Sequence, residues 1–534
     1  MAELTIVFRL RFAVALALAL TLLLVFSTRD AWGAEYVVQM ETGSAPSHGA
    51  ALVERLGGRV TSPELEVING FGASLDAGSA ARLAASPGVR AVSPNAGVTA
   101  SSDTNVDESG GYRCPETDAT TVPAPRSHGR SRDDDDDDRD WEDYFRLQAY
   151  HHSIQLDRAW RETVGSRVGV AVVDTGIAGD LSDFADLNGR GSRVMASAVT
   201  NPCATDGNDH FGHGTHVAGL IAGVGRHLGV APDANLISVK VADDDGNTTV
   251  LDVIYGIQFV VDHRRSLGIR VINLSLSSTV AESYVTDPLD AAVESAWFQG
   301  IVVVAAAGNE GTAPDAVSYA PGNDPYVITA GAVDDRGTRT IADDVLAPWS
   351  SRGLTQDGVR KPEVLAPGAR LVAPLAPGSD FTELCPECIV EGRYFRLSGT
   401  SMASAVVSGA VALILAENPG WSPDRVKGAI MSTLDGVPGA GAELNVNAAL
   451  DGRGYANAGL TPNTLISPVT GLIDWTRASF RRASFRSAEG TPLDPKWTRA
   501  SFRCDCSLTP SGAVDPDRSS FRAAGLQRTT DFEE

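Results

Sequence analysis

With 534 residues and 43% hydrophobic content, the chain is long enough to bury one large core with smaller modules beside it. Its net charge of −23, from 67 acidic against 44 basic residues, excludes nucleic-acid binding through a basic surface. Lysine is confined to Lys240, Lys361, Lys427 and Lys496, so arginine carries most of the positive charge.

Arg9 and Arg11 precede an apolar run from Phe12 to Phe26, and the small residues Ala31, Gly33 and Ala34 follow. This is the pattern of an export signal, and the run is short for a membrane span. Residues 1–34 are therefore expected to be a signal peptide, giving a secreted protein with no stable membrane insertion; an uncleaved anchor is the alternative. From Glu35 to about Ala100, EYVVQMETG, ALVERLGGRV, VINGFGASL, AARLAASPGV and RAVSPN read as a small βαββαβ-like α+β unit. Residues 101–144 turn to Ser, Thr, Pro, Arg and Asp, with the unbroken run Asp133–Asp138. Such a like-charge block reads as a solvated linker, because a bare aspartate run lacks the defined oxygen cage that selects calcium.

The segment 145–458 carries five short Gly-rich or Ser-rich phrases: VAVVDTGI around Asp174, FGHGTHVAG around His213, VINLSLSS around Ser275, VVVAAAGNEG around Asn309 and LSGTSMASA around Ser401. A serine hydroxyl is unreactive at its own pKa, so Ser401 needs a base, and His213 can take a proton near neutral pH. A carboxylate such as Asp174 fixes the imidazole tautomer and stabilises the cation that forms. The Asn309 carboxamide, with the Ser401 backbone N–H, can stabilise the negative charge that develops on a carbonyl oxygen under attack. Taken singly, Asp174 fits a turn at a strand end, His213 a helix start and Ser401 an N-cap. Their joint occurrence points to a nucleophilic serine.

The surrounding pattern supports that reading. RVGVAVV, VINLSL and IVVVAAA are β-branched apolar runs of the kind found in buried parallel strands, and they alternate with the helical phrases VLDVIYGIQFVVDH and LDAAVESAWFQG. The predicted fold is α/β, a doubly wound parallel sheet with the site in loops at the carboxyl ends of its strands. Asp174 and Asn309 are expected after strands, and His213 and Ser401 at helix starts.

Six cysteines in an exported chain favour disulfides, with the pairing left open among Cys114, Cys203, the CPEC pair Cys385 and Cys388, and the CDC pair Cys504 and Cys506. Zinc held by the CPEC and CDC pairs is the alternative. Residues 459–534 repeat RASFR at Arg477, Arg482 and Arg499 and RSSFR at Arg518, a low-complexity tail whose units are too short to bury a core. A docking segment for acidic or glycan-bearing surfaces is the sharper alternative.

The five phrases, in this order, resemble the subtilisin-like serine peptidases over about residues 156–450. Their Asp, His, Ser chain order and their oxyanion asparagine are worked examples of general enzymology. The resemblance implies that His213, and not His216, is the base. It implies that Ser275, Leu276 and Ser277 and the segment Ala306, Ala307 and Gly308 frame the substrate pocket, with polypeptide substrate added as a strand. The unit 35–100 resembles the family's inhibitor-like prodomain, which implies a self-processing zymogen inhibited by its own prodomain. No cofactor is required for the chemistry, while calcium is a structural ion in many members and Asp183 is the residue here that would hold it. Ser277 and Ser278 stand where the family usually has glycines, and Ala405 and Val406 where it has proline and histidine. The expected function is a secreted serine endopeptidase; a dedicated maturation protease and a catalytically silent binding protein of the same fold are the alternatives.

Overall fold

The computed structural model describes residues 34–41, 43–100, 148–187 and 191–464. The expected export signal up to residue 33, the acidic linker, Cys114, Cys504, Cys506 and the arginine–aromatic repeats lie outside the described residues, whereas Ala34, the last residue assigned to that signal, opens the first strand.

The first unit has the βαββαβ order read from the sequence. Strands Ala34–Met40, Arg59–Val60, Gly70–Leu75 and Val89–Pro94 form one antiparallel sheet, with Ala34–Met40 paired between Gly70–Leu75 and Val89–Pro94. Helices Pro46–Arg55 and Ala77–Ala84 complete it; the second begins at Asp76, whose carboxylate accepts the Ser79 N–H at 2.9 Å, a local N-cap. Val38, Met40, Val53, Phe71, Ala73, Leu75, Leu83 and Val89 form a core of their own. The short turn Glu66–Ile68 behaves differently. Leu65, Val67 and Ile68 pack into the large core of the second unit, and the Val67 N–H donates to Gln258 Oε1 at 2.7 Å.

The second unit is built on a ten-stranded sheet. Its parallel centre runs, in spatial order, Val194–Val199, Asn235–Lys240, Gly169–Asp174, Ile269–Leu274, Val302–Ala306, Ile328–Asp334 and Val364–Pro367. Register shows that both faces are covered. Val172 lies beside Asn273, so these two share a face. Asn273 Oδ1 accepts a hydrogen bond from Ser408 of helix Thr400–Glu417, whereas Val173, one residue on, faces Gly256 of helix Val250–His263 across the sheet. Strands buried on both faces need no polar alternation, which is why Gly169–Asp174 is apolar up to its last residue.

Two helices show how local sequence sets element ends. Val250–His263 starts at a capping box in which Thr249 and Asp252 satisfy each other's backbone N–H groups. Thr400–Glu417 is apolar and long enough to cross a membrane by length and composition, yet it is buried within the core, on the strands Ile269–Leu274, Val302–Ala306 and Ile328–Asp334. Ala405 and Val406 are fully buried inside this helix and pack in the main core.

Cys385 and Cys388 are joined by a disulfide, so the CPEC pair is not free to hold zinc. Cys203 is also disulfide-bonded.

Candidate active site

Asp174 ends its strand and His213 begins helix His213–Ala222, as the chain pattern predicts. The turn into that helix needs glycine at Gly212, where φ is +111°, and Gly214 lies so close to the Asp174 loop that an added Cβ would fall 2.2 Å from the Gly176 carbonyl oxygen. The result is a contact between His213 Nδ1 and Asp174 Oδ1 at 2.7 Å, with His213 fully buried. Oδ1 also accepts the Thr175 N–H at 2.8 Å. Burial alone would push the imidazole pKa down, but attraction to Asp174, with a smaller contribution from Asp209, outweighs it and the pKa is raised.

Ser401 is the second residue of helix Thr400–Glu417 and is fully buried. Its hydroxyl donates to the Ser275 carbonyl at 3.1 Å, and among the described residues His213 Nε2 makes no hydrogen bond. A chain of polar groups ties the serine to the neighbouring strand. Ser275 Oγ donates to the Ser401 carbonyl at 3.1 Å and lies 2.9 Å from Ser404 Oγ, and Asn273 Nδ2 donates to Ser275 Oγ at 2.8 Å. These bonds fix the start of the helix against the end of Ile269–Leu274.

Asn309 is oriented by Thr400. Its Oδ1 accepts from both the backbone N–H and the hydroxyl of Thr400 at 3.1 Å, and the same hydroxyl accepts the Gly308 N–H at 3.1 Å. With the oxygen side engaged, the NH2 of the carboxamide is the side left to meet a developing oxyanion.

Of the residues read as a substrate pocket, Leu276 and Ser277 lie in strand Leu276–Ser278 and Ala306 ends strand Val302–Ala306, followed by Ala307 and Gly308. Leu276–Ser278 is not a free edge. Strand Gly97–Ala100, from the end of the first unit, pairs antiparallel with it in the register Leu276↔Ala100, Ser277↔Thr99 and Ser278↔Val98. On its other side the same strand pairs with Thr248–Thr249. Ser277 takes part as an ordinary extended residue, so the pairing needs no glycine there.

His216 is a packing residue. It is fully buried, its Nε2 is 3.0 Å from the Phe395 carbonyl, and burial pushes its pKa down to about 3. Asp183 does not fit a calcium site. Its buried carboxylate is already engaged by the Arg393 guanidinium, and calcium needs six to eight oxygen ligands. No group of three or more His, Cys, Asp or Glu residues suited to a metal occurs among the described residues.

Three contributors were not singled out from the sequence: Thr400, Asp209 and the strand Thr248–Thr249. Thr400 lies inside the GTS phrase and Asp209 four residues before His213, so both were visible as neighbours of candidate catalytic residues. However, Thr400's partner Asn309 is 91 residues away in the chain, and Thr175, the partner of Asp209 that reaches the Asp174 loop, is 34 residues away.

The profile of the peptidase S8, or subtilase, family matches residues 165–455. The serine protease AprX of Bacillus subtilis is 38% identical over 322 residues, covering 57% of this chain and 70% of AprX. Subtilisin E of the same organism is 38% identical over 274 residues, covering 50% of this chain and 61% of subtilisin E. Fervidolysin from Fervidobacterium pennivorans, a keratinolytic enzyme related to subtilisin, has the same architecture at a TM-score of 0.55 and 25% identity, over 79% of this chain and 62% of its own. The chain thus spans less than two thirds of the length of subtilisin E and of fervidolysin. Sequence match and fold agree: the chain belongs to the subtilase family of subtilisin-like serine endopeptidases.

Proposed function

We propose that the protein is an exported serine endopeptidase made as a zymogen that cuts itself. The observation that carries this reading is the strand Gly97–Ala100 seated between Thr248–Thr249 and Leu276–Ser278. It pairs as an extended polypeptide substrate would, by main-chain hydrogen bonding to a sheet edge. Its direction matters. Ala100 lies opposite Leu276, so the next step along the register reaches Ser275, whose carbonyl holds the Ser401 hydroxyl. The described strand thus ends at Ala100 on the side of Leu276 next to Ser275, and on this reading the first unit acts as the inhibitor of its own enzyme.

In the reaction, rotation of Ser401 about χ1 moves its hydroxyl from the Ser275 carbonyl to His213 Nε2. His213 takes the proton as Oγ bonds to the scissile carbonyl carbon, and Asp174 stabilises the imidazolium. The carbonyl π electrons move onto oxygen, where the Asn309 NH2 and the Ser401 N–H meet the charge. Collapse breaks the C–N bond, His213 returns the proton to the leaving amine, and water hydrolyses the acyl-enzyme by the same steps. No cofactor enters.

The test is Ser401→Ala expressed without other proteases, beside terminal sequencing of the wild-type product. The uncut precursor should accumulate in the variant, and the wild-type cut should fall within a few residues after Ala100. Maturation of the variant would overturn self-processing. Failure of the processed wild type to label with a fluorophosphonate would instead favour a silent binding protein.

A further inference from the structure

We infer that Asp209 is a positioning residue for the catalytic histidine, a second carboxylate that clamps the Asp174 loop to the His213 helix. The inference rests on the serine-peptidase reading of the site. Asp209 is 4% exposed and belongs to neither the strand that ends at Asp174 nor the helix that starts at His213. Its Oδ1 accepts the Thr175 hydroxyl at 2.8 Å and the Gly212 N–H at 2.7 Å, and its Oδ2 accepts the Thr215 N–H at 2.7 Å. Thr175 closes the circuit, because its hydroxyl oxygen also accepts the Gly214 N–H at 2.9 Å. One carboxylate thus holds the residue after Asp174, the residue before His213 and the residue two beyond it.

Two consequences follow. First, a short 2.7 Å contact between two separately supported side chains is rigid only if their backbones are rigid to each other, and Asp209 supplies that link. Secondly, the helix start is a place where backbone N–H groups lack partners, and Asp209 satisfies two of them; burial raises its own pKa, hydrogen bonds from Thr215, Gly212 and Thr175 oppose that rise, and once ionised it adds negative charge there. That charge acts on His213 beside the larger effects of burial and Asp174, and it raises the imidazole pKa. The other titratable groups around the pair are His216, neutral because burial holds its pKa near 3, His210 in the same loop, and Asp380 across from it.

The experiment compares processed enzymes on a soluble chromogenic peptide across pH. With Asp209→Asn, an imidazolium that has lost a nearby negative charge gives up its proton more readily, so the acid limb of kcat/KM should move to lower pH while kcat falls about tenfold. An acid limb superimposable on the wild type's would overturn the electrostatic part. Thr175→Val keeps the carboxylate but breaks the bridge. It should lower kcat about tenfold at unchanged KM, with the acid limb unmoved, and Thr175→Ser should restore the rate. A Thr175→Val enzyme with wild-type kcat would overturn the positioning role, whether or not Asp209→Asn folds. A wild-type protein that neither cleaves peptide nor labels with fluorophosphonate would refute the serine-peptidase reading instead.

Discussion

Thr400 holds Asn309 by its oxygen, with its backbone N–H and its hydroxyl each 3.1 Å from Oδ1, so the carboxamide proposed to serve the oxyanion is oriented by the residue before Ser401. Asn309→Ala should therefore lower kcat by about 10²–10³ with little change in KM. Thr400→Val keeps the backbone donor and loses the hydroxyl, and should cost about tenfold in kcat. Steady-state kinetics on one peptide substrate would show whether the loss falls in kcat; an equal loss in KM would place Asn309 in ground-state binding.

Val98, in the strand proposed to occupy the cleft, is 4% exposed and packs in the main core. Val98→Asp would bury an unpaired carboxylate there, at a cost of several kcal/mol, which corresponds to at least about 100-fold weaker occupancy. In the full-length chain, proteolytic activity should appear with a shorter lag after processing. An unchanged lag would separate the strand from inhibition.

Arg393 neutralises Asp183, a carboxylate that is 1% exposed. Arg393→Met leaves that charge buried and unpaired. Because the guanidinium is itself 53% exposed and screened, the loss should be about 1–2 kcal/mol, read as a lower melting temperature. A chelator should not reproduce this loss through Asp183.

A buried carboxylate cluster makes stability depend on pH. Burial, reinforced by Glu282, pushes Asp287 up to about 7, and burial also raises Asp324 to about 6 and holds Asp290 and Glu294 well above the usual carboxylate range. Folded pKa values above unfolded ones mean the folded state binds more protons. The stability is complete near pH 4 and is lost as pH rises through about 7. The unfolding free energy read from urea titrations should fall between about pH 5 and about pH 8, by an amount on the order of 1–3 kcal/mol, and the urea midpoint with it. Asp287→Asn should flatten this slope, since asparagine can keep the helix cap that Asp287 makes to Leu289 and Asp290. A wild-type midpoint that rises with pH would contradict the assignment.

Much of the site was legible because its chemistry is local in sequence. VAVVD reads as a buried strand ending in a carboxylate, GHGTH and GTSMASA as Gly-marked helix starts, and Asp174, His213 and Ser401 occupy the strand end and helix starts so read. The βαββαβ order of the first unit was legible for the same reason, from alternating runs and turn residues. Asp183 was not. Its partner Arg393 lies 210 residues away, and only the folded chain shows that a guanidinium takes the carboxylate.

The sequence by itself determined which groups are present and which local element each occupies, since periodicity, caps and glycines act over a few residues. The tertiary structure alone decided how those groups meet: the 2.7 Å contact of His213 with Asp174, the grip of Thr400 on Asn309, the clamp made by Asp209 and the seat of Gly97–Ala100 beside Leu276–Ser278. The physical reason is that hydrogen bonds and strand pairing depend on distances of a few ångströms. Those distances are set by packing between segments far apart in the chain.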